Sequence, residues 1–267
     1  MVEERIEMIF IKSKDNERFK LAKSLLKTKY RNRERKYLAE GLRTVELALE
    51  YGAKIECVFL SESFVENQSN EKTVEELEKV TKVFSMSDDL FKNITTTENS
   101  QGIIAIINMK DISIEDFDGE KHKKVIILDR LQDPGNLGTI IRTADAAGFD
   151  MIIMTKGCVD LYNPKVVRSA MGSMFYMDIV STTQEKAAEV LKENNVEIVS
   201  SYLKTDNYFN KVDYSERCAL VVGNEANGIC DFWIDNSDVL VKIPMYGKAE
   251  SLNVGISAAL LMYQITL

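Results

Sequence analysis

The chain has 267 residues, of which 45% are hydrophobic and 28% charged, and its net charge is −8. Those values describe an ordinary globular composition, with enough chain for one large domain or two modest ones. A single histidine and four cysteines without C-x-x-C spacing (Cys57, Cys158, Cys218, Cys230) argue against a metal centre, and the cysteines read as reduced core thiols.

From the N-terminus, the first apolar residues are interrupted by Arg5 and Glu7, which is not the pattern of a secretory leader. The first 20 residues predict a strand fragment and a helix, with Phe19, Leu21, Leu25 and Leu26 near helical spacing over 16–28. Charge is spread unevenly here. Between Lys12 and Arg43 lie twelve basic residues against four acidic ones, so this segment carries +8 and the remainder −16. A basic stripe on an acidic protein can bind phosphates while the rest of the surface keeps the chain soluble; charge alone fits a solvated helix face equally well.

A second amphipathic helix is predicted over 41–51 (Leu42, Val45, Leu49), then a strand at 55–60, a helix at 71–81 and a buried strand at 103–107. That alternation predicts a small α/β unit over 1–108. The polar stretch 109–123 reads as a linker, and the only histidine, His122, as a bystander within it. From 124 onward short apolar runs alternate with helical ones, predicting a second domain over 124–267. Strands are expected at 124–129, 151–155, 196–202, 218–222 and 239–243. Helices are expected at 137–147, around 163–172, at 184–194 and from about 252. Near-continuous apolar strands alternating with helices indicate a parallel sheet covered on both faces. The longest apolar stretch, Val254–Leu267, contains Ser257 and Gln264 and falls short of the roughly 20 helical residues that span a bilayer, so a cytoplasmic protein is expected. Apolar nearly all round, that last segment needs burial, either within its own domain or against another subunit.

Ligands of open parallel sheets bind outside the C-terminal strand ends. Three loops at such ends carry unusual residues: DPGNLG (133–138), GNEANG (223–228) and PMYGKAESLN (244–253). A dinucleotide fingerprint is absent, because Gly135 and Gly138 are spaced G-x-x-G and MIIMTKG runs into lysine where an acid is needed. A phosphate loop lacks its G-K-[ST], and a nucleophilic triad lacks its histidine. What remains is a polar set: Asn136, Arg142, Glu225, Ser251 and Asn253. Each has a structural reading as a helix cap, or for Arg142 as a surface pair with Asp145. Five such residues at three strand ends point to a site.

With those residues in view, the sequence resembles the SpoU/TrmH-type RNA 2′-O-ribose methyltransferases of the knotted SPOUT superfamily. DPGNLGTIIRTADAAG is similar to the first motif of that family, with its Asn and an Arg six residues on. GNEANG is similar to the second, G-x-E-x-x-G, and IPMYGKAESLNVGISAA to the third. Gly255 stands where many relatives have Ser. KTKYRNRERKYLAEGLRTVELAL and TTTENSQGIIAII are similar to the family's ribosomal-protein-like substrate-binding domain, so the likeness runs over nearly the whole chain. The resemblance implies an α/β fold with a deep C-terminal trefoil knot, S-adenosylmethionine as methyl donor, no metal, and a homodimer. It implies donor contacts at Gly223, Ile243, Met245 and Leu252, and catalytic or substrate-orienting roles for Asn136, Arg142, Glu225, Ser251 and Asn253.

Under that resemblance the basic stripe has a function: Arg18, Lys20, Lys29, Arg31, Arg33 and Arg43, with Arg168 in KVVRSAMGSMF, would track RNA phosphates. Ribosomal RNA is the expected substrate, with transfer RNA or a catalytically silent RNA-binding or ribosome-assembly factor as the alternatives.

Overall fold

The computed structural model describes residues 8–267; Arg5 and Glu7, on which the leader argument rests, lie outside the described residues. The chain divides into two compact units. One holds the residues up to Lys110 together with Tyr162–Tyr176, the other Asp111–Leu161 and Met177–Leu267.

The first unit is a five-stranded mixed sheet with strand order β1-β4-β3-β5-β2. Its strands are β1 (Ile9–Ile11), β2 (Lys36–Glu40), β3 (Ile55–Ser61), β4 (Lys82–Met86) and β5 (Ile103–Asn108). Strand β3 runs parallel to β4, and β5 is antiparallel to both β2 and β3. The helices are α1 (Glu17–Ser24), α2 (Thr28–Glu34), α3 (Leu42–Glu50), α4 (Glu62–Glu66), α5 (Glu71–Val80) and α6 (Asp88–Phe91). The helix expected over 16–28 ends at Ser24, and a second helix, α2, starts where that expectation stops. Lys27 takes an extended conformation between them, and the buried Arg31 reaches back to donate to the Leu25 carbonyl at 2.8 Å, satisfying a helix-end acceptor. Strands β2 and β4 escape a reading of the sequence, because KYLAE and KVFSM offer neither a continuous apolar run nor a clean alternation.

The second unit is a six-stranded sheet, parallel throughout, with order β11-β9-β10-β6-β7-β8. Its strands are β6 (Lys124–Leu128), β7 (Met151–Thr155), β8 (Asp178–Thr182), β9 (Glu197–Ser201), β10 (Cys218–Val222) and β11 (Val239–Val241). Helices α7 (Pro134–Ala146), α9 (Gln184–Glu193), α10 (Asp231–Asn236) and α11 (Val254–Thr266) belong to it, whereas α8 (Pro164–Ser169) leaves its sequence neighbours and packs on β2 of the first unit. Strand β8 and helix α10 add to the expected elements.

The apolar strands and α10 build the core of this unit: Val125, Ile127, Ile153, Ile198, Val221 and Trp233 are at most 2% exposed within one apolar cluster. The stretch read as a linker is built into it. Ile114 is buried in that cluster, and His122 is 2% exposed, accepting the Asp118 amide at Nδ1 while Nε2 lies 3.2 Å from Asp178. Because Asp178 begins β8 and His122 precedes β6, this pair sits at the strand N-termini, the edge opposite the three motif loops.

Strand order places those loops. From β6 the sheet is extended in one direction by β7 and β8 and in the other by β10, β9 and β11, so the switch point lies between the C-terminal ends of β6 and β10. The loops after these two neighbours are therefore side by side. The third loop follows β11, an edge strand two places from β10, and must travel back to reach them. No helix among the described residues is long and apolar enough to cross a membrane.

Candidate functional site

The site grows from the start of α7. Pro134 occupies the first helical position, where its missing N–H costs nothing, so the cap falls on the residue before it. Asp133 is that cap, its carboxylate accepting the Asn136 amide at 2.8 Å. The sequence expectation of Asn136 as the cap is corrected accordingly. With the backbone already served by Asp133, the Asn136 carboxamide is released for other partners. Leu137, Ile140, Ile141 and Ala144 fix the helix by their 3–4 spacing, each with 0% exposure. Burial is worth at most roughly 1.5–3 kcal/mol for each of the three larger ones.

The β10 loop supplies Glu225. Its carboxylate accepts the Gln132 amide (3.2 Å), the Asp133 amide (3.0 Å) and the Asn136 side-chain amide (3.1 Å). Partial burial pushes this carboxyl up, but the hydrogen bonds from Asp133, Asn136 and Gln132 outweigh it and hold its pKa below the ordinary glutamate range. The third loop supplies Asn253, which caps α11 by accepting the Gly255 and Ile256 amides. Its own amide donates to Asn136 Oδ1 at 2.9 Å. Glu225, Asn136 and Asn253, drawn from three loops, therefore form one hydrogen-bonded chain.

The loop after β10 is folded tightly on itself. Asn224 and Gly228 exchange backbone hydrogen bonds at 3.0 and 2.9 Å. A Cβ at Gly223 would fall 2.1–2.4 Å from the Gly228 and Ile229 backbone. Glycine is required there for loop closure.

Beside this loop opens a cleft of about 580 Å³. Gly223, Ile243, Met245 and Leu252 all line it, as do Glu225, Ser251 and Asn253. Asn136 is not part of the lining and is tied to it only through Glu225 and Asn253. Two further carboxylates, Asp231 and Glu250, line the cleft and are not singled out by the sequence. Arg142 lies two turns into α7, exposed, with no hydrogen bond or ion pair among the described residues; the surface pair with Asp145 is not formed. Its guanidinium is available to a ligand. Among the described residues no cluster of His, Cys, Asp or Glu is arranged to hold a metal ion, and all four cysteines are free.

The basic stripe is divided. Lys20, Lys29, Arg33 and Arg43 are exposed. Lys20, Arg33 and Arg43 make local surface pairs with Glu17, Glu34 and Glu46, and Arg33 also lies over the Tyr30 ring. Arg18 is half-buried and pairs with Glu56, which also takes Lys36 at 2.5 Å. Two expected RNA-binding residues face inward instead. Arg31 is 2% exposed, with its second nitrogen on Thr28. Arg168 is half-buried on α8, 3.5 Å from the Glu40 carboxylate and 2.5 Å from the Thr96 hydroxyl. Both guanidiniums are committed to the fold of the first unit.

On α11, Ala258, Leu261, Met262 and Ile265 are buried, while Ile256, Leu260 and Tyr263 remain 43–55% exposed. The helix that needed burial is covered on one face only.

Comparison with known proteins agrees with this geometry. The model of the SpoU rRNA Methylase family matches residues 123–263, and that of the MRM3-like substrate binding domain matches residues 16–105. The 23S rRNA (guanosine(2553)-2′-O)-methyltransferase RlmP of Bacillus subtilis is 34% identical over 255 residues, 96% of this chain and 98% of its own. The AdoMet-bound rRNA methyltransferase of Sinorhizobium meliloti superposes with a TM-score of 0.86 at 28% identity, covering 97% of each chain. The SpoU methyltransferase AviRb of Streptomyces viridochromogenes, in complex with AdoMet, gives 0.85 at 26% identity, with 94% of this chain and 97% of the other covered.

Proposed function

The chain belongs to the SpoU rRNA methylase family, and from that premise we propose that it transfers a methyl group from S-adenosylmethionine to a ribose 2′-OH of ribosomal RNA. The observation that carries this reading is the Glu225–Asn136–Asn253 hydrogen-bond chain beside the cleft, which joins all three family motifs in one site.

The cleft suits the donor. Ile243, Met245 and Leu252 offer apolar surface, and the carboxylates of Glu225, Asp231 and Glu250 line a site for a ligand that carries positive charge. When bound, the donor supplies a methyl carbon on a sulfonium whose departure leaves a neutral thioether, so no general acid is needed. That accords with a site without histidine. The protein must hold two reactants close and in line, and positioning of this kind lowers barriers by roughly 7–11 kcal/mol in the best cases.

Arg142 then binds the phosphate beside the target ribose and stabilises the charge that grows on the 2′-oxygen as its proton passes to water. The guanidinium's planar fork of N–H donors, with no acceptor, makes it a clamp and not a base. Asn136 orients Arg142 or the ribose, Glu225 fixes the loop from which α7 starts, and Ser251 and Asn253 shape the loop bordering the donor. Lys20, Lys29, Arg33 and Arg43 of the first unit hold the RNA backbone.

The half-exposed α11 supports a homodimer closed over Ile256, Leu260 and Tyr263. Family membership supports the trefoil knot and a cytoplasmic location. A labelled-donor assay tests the function: methyl incorporated at a ribose of ribosomal RNA is expected. No incorporation into any RNA would instead favour a silent RNA-binding factor, and incorporation into transfer RNA alone would move the substrate.

A further inference from the structure

We propose that Asp129, at the end of β6, is a positioning residue that holds the β10 loop in its donor-binding shape. The inference rests on the assignment of the cleft to S-adenosylmethionine.

Asp129 has 0% exposure, yet it does not belong to the apolar core. Its two carboxylate oxygens face donors from four segments. Oδ1 accepts the Gln184 side-chain amide at 2.8 Å, from the start of α9, and lies 3.3 Å from the Thr155 hydroxyl at the end of β7. Oδ2 accepts the Cys230 backbone amide at 2.9 Å and Arg130 Nη2 at 3.0 Å. Arg130 extends the contact, with Nη2 also on the Gly228 carbonyl (3.3 Å) and its own carbonyl accepting from the Asn224 side chain (2.9 Å). Arg130 adopts a left-handed backbone, φ +56°, and Gly157 leaves it room: a Cβ there would stand 3.3 Å from Arg130 Cγ.

These bonds grip the loop between Gly223 and Cys230 at Asn224, Gly228 and Cys230. Glu225, between them, makes the contacts to Asn136 and Asp133 already described. Asn224, Ala226, Gly228 and Ile229 all line the cleft. The loop's shape is therefore set from one end of β6, and the donor's wall with it.

An ionised acid serves all of these donors as they stand. An asparagine of the same size keeps the Cys230 amide only if the Gln184 carboxamide turns to present its oxygen, and it leaves the Arg130 guanidinium without a counter-charge. A buried charge is seldom the cheapest way to stabilise a fold. A fully satisfied one specifies a single geometry, which a donor pocket needs.

The test uses the full-length chain, with S-adenosylmethionine binding by calorimetry, steady-state kinetics and thermal melting. For Asp129→Asn, donor Kd and donor KM should rise roughly ten- to hundredfold while KM for RNA is unchanged. Gln184→Leu removes one donor, leaves the carboxylate three others and keeps the chain folded; its donor Kd should rise by a smaller factor, roughly three- to tenfold. Lowered melting temperatures with unchanged donor Kd in both variants would reduce Asp129 to a stabilising residue and overturn the proposal. If the wild-type chain itself takes up no S-adenosylmethionine, the functional assignment falls first.

Discussion

Asn253 donates its side-chain amide to Asn136 Oδ1 at 2.9 Å, across 117 residues of sequence. Each is held by backbone capping at a helix start, Asn136 through Asp133 and Asn253 through its own oxygen. Their meeting joins the first and last motif loops, and Glu225 adds the second.

Removing the middle member should therefore uncouple all three. Asn136→Ala loses two hydrogen bonds and is expected to lower stability by roughly 1–2 kcal/mol and turnover by roughly 10²-fold through misplacement. A double-mutant cycle with Glu225→Ala should give a coupling energy of roughly 0.5–3 kcal/mol in melting or denaturant experiments. Additive effects would mean that the two side chains do not meet in solution.

Arg142→Ala should leave the fold alone and stop the chemistry. The side chain is exposed and has no partner among the described residues, so stability should change by less than about 0.5 kcal/mol. Turnover should fall by at least roughly 10²–10³, the range for losing one donor to a developing oxyanion. Arg142→Lys should restore little, because an ammonium cannot reproduce a two-pronged grip on phosphate. Near-wild-type turnover in either variant would remove Arg142 from the site.

Gly223→Ala should damage the loop outright. The new methyl would sit 2.1–2.4 Å from backbone atoms, which cannot rotate away as a side chain could. A loss of more than about 1–3 kcal/mol is expected, visible as a lower melting temperature together with lost donor binding.

Salt dependence separates the basic residues. Charge removal at Lys20, Lys29, Arg33 or Arg43 should reduce the slope of log K against log salt by roughly one for each phosphate no longer neutralised. Arg31→Ala should leave that slope unchanged and lower stability instead, because its guanidinium is spent on Leu25 and Thr28.

The Glu225 carboxyl has a lower pKa folded than unfolded. Its stabilising contribution is therefore complete above the unfolded value, about 4.3, and is lost as pH falls through the folded value. Melting temperature should be flat between about pH 8 and 5 and decline below about 4. Glu225→Gln should be less stable at neutral pH and show a shallower acid decline; an identical decline would assign the acid sensitivity to other carboxylates.

Much of this is legible in the chain. Strands β6, β7 and β10 are uninterrupted apolar runs buried on both faces, and the spacing of Leu137, Ile140, Ile141 and Ala144 marks α7 directly. The cap of α7 is easily misread because Asn and Asp are equally good caps and only the position of Pro134 decides between them. Strand β8, DIVST, is half polar and lies at the sheet's edge, so it carries no apolar signal. Arg31 and Arg168 cannot be told from the other cations, because sequence records charge but not the direction in which a guanidinium points. Asp129 sits at the end of an apolar strand, where an acid is ordinary until its four partners are seen.

The excursion of Tyr162–Tyr176 has a consequence for dissection of the molecule. Both flanks of that piece continue into strands of the methyltransferase sheet, while its own helix lies on β2. A gene fragment ending at Lys110 would therefore encode an N-terminal module missing part of its own cover, and grafting that module onto another enzyme would require transplanting a second, distant patch of sequence. The two units are interlaced along the chain, so no single cut releases either of them whole.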